Sequence, residues 1–306
     1  MEGISKDKFR KIQIDNSEKA KIARPQIGYW PDAWRRLKTN KIAMLSLIIL
    51  AILVVMVIIG PHISGYDYKE VDASKVNMKP NKEHWFGTDE LGRDLFSRVW
   101  QAGRISIAIG IIGAIIDTVI GCIYGGIAAY FGGKVDTIMM RIVEILISIP
   151  YLMVVILISI VTESRSFGTL ILSLTLTGWC GMARLVRGQM LQVKQQEYIM
   201  AAEALGVSPW KIITKHLIPN VLGIIIVAVT FDIPGYIFAE TFLSYIGLGI
   251  QPPKTSWGAL ASAAQQNFIF HPYQMFFPGL MIALTMLSFT LLGDGLRDAL
   301  DPRLRE

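Results

Sequence analysis

Six long apolar runs constrain this chain more than any other feature. The first, Ile42 to Ile59, spans 18 residues without a charge. That is enough for a helix crossing a hydrocarbon core of about 30 Å. The second, Ile105 to Phe131, is broken only by Asp117. The third runs from Ile138 to Val161, with Arg141 and Glu144 near its start. The fourth is Gly168 to Ala183, and the fifth is Leu217 to Ile246, with Asp232 and Glu240 inside it. The sixth is Met275 to Leu292. The expected fold class is therefore an all-α membrane protein with six transmembrane helices in contact with lipid. Composition agrees: 52% of residues are hydrophobic and 18% charged, against about 25% charged in soluble domains. The first run follows some forty largely polar residues, which argues against a cleaved leader.

Basic residues orient such a chain. Residues 1–41 hold 11 Lys and Arg. An even number of spans puts both termini on one side. The segment between spans four and five shares that side and carries Arg184, Arg187, Lys194, Lys211 and Lys215, while the stretch between spans five and six has only Lys254. The residues around 62–104 carry seven basic and seven acidic side chains, which weakens the asymmetry without reversing it. Both termini and the four–five segment are expected in the cytoplasm. The net charge of +6 is then a topology signal. No interleaving of basic and aromatic residues suggests a nucleic-acid partner.

The four–five segment has the most telling local pattern. It runs Tyr198-Ile-Met-Ala201-Ala202-Glu203-Ala-Leu205-Gly206-Val-Ser208-Pro209-Trp210, then on to Ile213, His216, Leu217 and Pro219. Gly206 suits the left-handed residue that ends a helix. Ser208 suits an N-cap, and Pro209 the first position of a second helix. The pattern predicts two short helices held outside the bilayer. Ala201, Ala202 and Leu205 would form a small apolar face on the first, and Trp210, Ile213 and Leu217 a stripe on the second. A Trp on a short rigid helix is a good interface anchor, so the segment reads as a docking surface.

Other segments are less specific. Residues 1–27 are polar and charged, and a mobile tail is expected there. Trp30, Trp34, Leu37 and Lys41 recur at helical spacing after Pro31 and Asp32, as in a short amphipathic helix on a membrane surface. His84 to Arg98 forms part of an external loop, where Thr88 or Asp89 would cap a helix through Leu95, Phe96 and Val99. Gly121 and Gly125 are a small-xxx-small pair for close helix packing. Pro150 and Pro234 are expected to kink or interrupt spans three and five, in a static bend or in a helix that lines a passage. Arg141 and Glu144, three apart, can pair. Asp117 and Asp232 lie near mid-span and either line a passage or accept hydrogen bonds from a neighbouring helix. Glu240, nearer the outer end, is expected to be partly hydrated. Cys122 and Cys180 read as buried thiols.

Catalytic signatures are missing. There is no G-x-x-x-x-G-K-[ST] phosphate loop, so ATP hydrolysis is not expected of this chain, and no H-E-x-x-H. An intramembrane enzyme using Asp117 and Asp232, or a sensor subunit, would be the rival readings. His62, His84 and His271 in the external segments show no ligand spacing.

At the Gly206 segment the sequence resembles the membrane subunits of ABC importers. Ala201, Ala202, Gly206 and Ile218-Pro219 match their cytoplasmic loop motif, while Met200 and His216 stand where that family has a glutamate and an apolar residue. Further matches are Phe86-Gly-Thr-Asp-Glu-Leu-Gly-Arg-Asp94, Leu243 to Gly249, Ser256-Trp257-Gly258, and Gly293 to Pro302. Together they cover residues 28 to 305 and resemble the C-type permease subunit of oligopeptide, dipeptide and nickel importers, oligopeptide first. The resemblance implies a type I importer permease fold, a bacterial cytoplasmic-membrane location and a coupling helix between spans four and five. It implies a B-type permease partner, two ATPases that carry ATP and magnesium while this chain binds no cofactor, an external binding protein, and a peptide substrate. Docking to the ATPases would fall to Ala201, Ala202, Glu203, Leu205, Gly206, Ser208, Pro209, Trp210, Ile213, His216 and Pro219. Asp117, Asp232 and Pro234 are candidates for the translocation path. The organisation expected is a tail over 1–27, an amphipathic helix, first span and external loop over 28–104, a permease core over 105–294, and a cytoplasmic tail over 295–306.

Overall fold

The computed structural model describes residues 28–301, so the expected mobile tail over 1–27 and the last five residues lie outside the described residues. Ten helices carry the architecture, and among the described residues there is no strand, only an isolated bridge between Thr88 and Asp94. Five helices, or six with one bent pair, are long and apolar enough to span a membrane.

Helix α1 (Tyr29–Thr39) is the expected amphipathic helix. Leu37 packs with Ala43, Leu292 and Ala299, while Trp30 and Trp34 stay half exposed. Asn40 then caps α2 (Lys41–Ile63), its side-chain oxygen accepting from the N–H groups of Ile42 and Ala43 at 3.1 Å. Pro61 lies inside α2 and has no N–H for the Val57 carbonyl. Arg104 fills the gap, donating from Nε to Val57 O at 2.9 Å and from Nη2 to Ile58 O at 2.6 Å.

Helix α3 (Leu95–Phe131) has 37 residues, about 55 Å at 1.5 Å per residue. It starts ten residues before the apolar run because Asp94, rather than Thr88 or Asp89, is its cap: Asp94 Oδ2 accepts from Ser97 N at 2.8 Å. Thr88 instead ties the preceding loop together, accepting from Met78 N at 2.8 Å and donating to the Lys75 carbonyl. Gly121 and Gly125 act in packing. A Cβ on Gly121 would meet the Met182 side chain, and one on Gly125 the Ala183 carbonyl, so α3 and α6 (Phe167–Lys194) touch backbone to backbone.

Span three is broken. Helices α4 (Gly133–Ser148) and α5 (Tyr151–Val161) meet at 81° around Pro150, with Ile149 in the extended conformation that a following proline favours. Pro234, unlike Pro150, does not interrupt its helix, which continues through it. Arg141 and Glu144 pair at 2.8 Å on the exposed face of α4. Helix α6 continues eleven residues beyond the expected Ala183, held by Arg187 on Asp136 and by Lys194 on the Tyr130 carbonyl. Then come α7 (Glu197–Ala204), α8 (Pro209–Tyr245), α9 (Trp257–Ala264) and α10 (Pro272–Leu300).

Three buried clusters stack along the bundle. One holds Leu95, Val99, Trp100, Trp257 and Leu260. A middle one holds Ile109, Leu170, Ile237 and Leu243. The third holds Met190, Ile199, Ile212, Ile213 and Leu217. The first lies beneath the loop before α3, the cap end. The third lies beneath the α7–α8 turn, the elbow end.

Candidate functional site: the elbow and the buried carboxylates

The elbow is built by backbone chemistry. Helix α7 ends at Ala204, and Gly206 adopts φ +77°. Gly206 N donates to Glu203 O at 2.9 Å and Val207 N to Ala202 O at 3.1 Å, the paired bonds of a Schellman ending. A residue with a Cβ is strained in that conformation. Pro209 opens α8, where its missing N–H costs nothing. Ser208 holds the N-cap position, but its hydroxyl makes no cap bond; its carbonyl accepts from Ile212 N at 3.1 Å.

The second helix departs from the expected form. It is no separate short helix: Pro209–Lys211 passes through a π-helical turn, Ile212–Leu217, directly into span five, so α8 is 37 residues long. The wider turn shifts the register of the face. Trp210 remains 55% exposed, whereas Ile213 and Leu217 are buried, with Ile213 against Gly126 and near Met190. The expected stripe of Trp210, Ile213 and Leu217 is therefore split, and Ile213 belongs to the chain's own core. Leu205, at the tip of the turn, is 84% exposed. Ala201, Glu203, Gly206, Ser208, Pro209 and Pro219 are exposed, and Ala202 and His216 are half buried. Ile199, Ile212 and Leu217 anchor this knob to α3 and α6. The result is a rigid projection with apolar residues at its tip.

The mid-span carboxylates separate. Asp117 of α3 is buried and accepts from the hydroxyl of Tyr236 of α8. Gly178 of α6 completes the site, since a Cβ there would press on both groups. Asp117 thus joins three helices of one subunit, the hydrogen-bonding alternative, and its Oδ1 has no partner among the described residues. Pro234 is buried as well, so neither it nor Asp117 lies on an open face. Asp232, one turn from Tyr236, is half buried. Tyr236 and Gly178 carried no signal in the sequence that would link them to Asp117.

At the cap end, Glu240 is fully buried rather than partly hydrated. Its oxygens accept from Ser106 at 3.0 Å and Ser244 at 2.7 Å. His84 and Asp94 form a buried pair at 2.9 Å. Phe86 stacks on Phe277 at 3.8 Å between centroids, and Gln274 donates to Thr88 O at 3.0 Å. Asp72, partly exposed in the same loop, is held below the usual carboxylate range by the hydroxyl and N–H of Ser74. Cys122 and Cys180 are free and buried.

Two family models match. Residues 118–306 match the inner-membrane component of binding-protein-dependent transport systems, and residues 28–80 match the N-terminal transmembrane domain of oligopeptide transport permease C. The chain is 51% identical to the dipeptide transport permease DppC of Bacillus subtilis, covering 96% of this chain and 92% of that one. It is 44% identical to the oligopeptide transport permease OppC of the same organism over the full length of both. Among solved structures, a chain of the MetNI methionine ABC transporter in an inward-facing form shares the fold with a TM-score of 0.54 at 20% identity, covering 68% of this chain and 96% of that one.

Proposed function

This chain belongs to the inner-membrane components of binding-protein-dependent transport systems, and on that premise we propose that it forms half of an oligopeptide uptake path worked through the elbow. It is an integral multi-pass permease with the fold of ABC importer permeases. The relatives named for oligopeptides and dipeptides both support a peptide cargo, with dipeptides as the alternative.

The other half of the path is a B-type permease, and an external binding protein delivers the peptide. Two ATPase subunits lie in the cytoplasm, on the side of both termini and the elbow, as the distribution of Lys and Arg supports. The observation that carries this reading is the exposure of Leu205 and Trp210 on a knob fixed to the end of span five. An apolar pair held rigidly in a polar segment calls for a partner groove. The ATPase dimer opens and closes with ATP. Because it contacts the two permease states differently, it biases the equilibrium between them. With no break between Trp210 and Tyr245, a displacement at the elbow is passed along all of α8.

Gly206→Pro tests the lever. Proline cannot reach φ +77°, so the turn is rebuilt while the spans are untouched. The expected outcome is normal membrane insertion with peptide uptake and peptide-stimulated ATP hydrolysis lost; retained stimulation in reconstituted vesicles refutes the lever. Uptake of labelled di-, tri- and pentapeptides by cells with and without this chain, beside a nickel control, tests the cargo. Labelling of a cysteine at position 205 only from outside the cell would overturn the orientation.

A further inference from the structure

Glu240 is a carboxylate with no exposed surface, held by hydroxyls and by no cation among the described residues. Burying such a group is costly, and an apolar side chain of similar size would stabilise the bundle as well or better. Its place in the fold suggests what the carboxylate provides. Glu240 is on α8, a turn or so from the end of that helix. Ser106 of α3 donates to its Oε2, and the same Ser106 oxygen accepts from the N–H of Trp257, the first residue of α9, at 3.1 Å. Ser244 of α8 donates to Oε1 and lies 3.4 Å from the hydroxyl of Ser256. Ser256 in turn caps α9, accepting from Ala259 N at 3.1 Å. The Trp257 indole donates to the Val99 carbonyl of α3 at 2.8 Å. One carboxylate therefore ties together the outer end of α8, the start of the cap helix α9, and α3.

The same helix α8 carries Trp210 at its opposite end. A shift or rotation of α8 must either carry α3 and α9 with it or break the bond of Ser106 to Glu240 and the contact of Ser244 with Ser256. Buried hydrogen bonds between fixed partners have few intermediate arrangements, which makes such a junction a two-state element.

We propose that Glu240 is a positioning residue that joins cap helix α9 to α8, so that arrival of the loaded binding protein at the cap is transmitted to the elbow. The inference rests on the transport reading above and assigns a role within it. Glu240 touches neither peptide nor nucleotide; it acts by keeping two helices in register.

The experiment uses the complete transporter with its ATPases, reconstituted in lipid vesicles, and compares wild type with Glu240→Ala, Glu240→Gln and Ser106→Ala. ATP hydrolysis is measured with and without saturating peptide-loaded binding protein. Glu240→Ala should assemble and keep its basal hydrolysis while stimulation falls at least tenfold. Glu240→Gln keeps an acceptor oxygen and should recover most of the stimulation, and Ser106→Ala should fall between. Should Glu240→Ala fail to assemble, Ser106→Ala alone decides, since it removes the two bonds of that hydroxyl, to Glu240 and from Trp257 N, and leaves the carboxylate in place. Wild-type stimulation in the variants, or equal loss of basal and stimulated rates with no rescue by Gln, overturns the role of Glu240. A wild-type complex that assembles but is not stimulated by loaded binding protein refutes the transport reading itself, and the inference falls with it.

Discussion

The two ends of helix α8 are finished in opposite ways. At the cap end the buried carboxylates and the Trp257 indole find partners inside the chain: Glu240 with two serines, Trp257 with Val99, Asp94 with His84 and Ser97. At the elbow end the backbone is equally well formed, closed by the Schellman bonds at Gly206, yet Leu205 and Trp210 stand in the open. Both ends are rigid, but the buried carboxylates belong to the cap end; its own open apolar residues, Ile269 and Phe270, lie in the loop before α10 and outside that network. A segment that fixes its backbone while exposing apolar side chains is shaped to be covered by another molecule. A segment that buries its carboxylates among its own donors has its contacts already.

That contrast can be tested by substitution. Truncation at the cap end should damage the chain itself, and truncation at the elbow should damage only its association. The largest effect is expected for Trp257→Ala, which removes a fully buried indole and its bond to Val99. A loss of about 4 kcal/mol would appear as a sharp fall in the thermal midpoint of the detergent-solubilised chain. Asp94→Ala removes the α3 cap and leaves His84 buried without its carboxylate. About 2 kcal/mol is expected from losing the cap and leaving a buried imidazole without its partner, read by the same melt, and Asp94→Asn should restore part of it through the retained cap oxygen.

Trp210→Ala should leave the melt unchanged. It should instead weaken ATPase docking by about 2 kcal/mol, seen as a lower yield of ATPase in co-purification. The smallest effect is expected for Leu205→Ser: within about 0.5 kcal/mol on stability, as for an exposed position, with a slight loss of docking. A large drop in melting temperature for Trp210→Ala, or none for Trp257→Ala, would break the contrast between the two ends.

Much of this molecule is legible in the sequence, for identifiable reasons. The spans are visible because lipid demands long uninterrupted apolar runs. The break at Pro150 and the left-handed turn at Gly206 follow from backbone sterics that act within a few residues. The close contact at Gly121 and Gly125 is visible because only small residues allow it. The helix through Leu95 and Val99 was expected, but not its cap at Asp94 or its continuity with span two; the extra turns of α6 were hidden, since their residues are mixed in polarity and are held by distant partners, Asp136 on Arg187 and the Tyr130 carbonyl on Lys194. Pro234 looked like Pro150, but the helix around it is packed on both sides and continues through it.

The candidate site divides in the same way. Gly206, Pro209 and the exposed Trp210 were readable from local pattern. The inward turn of Ile213 was not, because a π turn widens the helix by one residue and rotates everything after it, and nothing in the amino-acid order announces that widening. Tyr236 on Asp117, and Ser106 on Glu240, join positions 119 and 134 residues apart.

By itself, the order of amino acids determined that this chain spans a membrane, where it bends, and that it holds a stiff turn beside span five. These are consequences of apolar transfer and of local backbone geometry, which depend on neighbours along the chain. Which carboxylates are buried, which partners satisfy them, and which face of the elbow remains open were decided only when the helices packed, because those outcomes depend on neighbours in space.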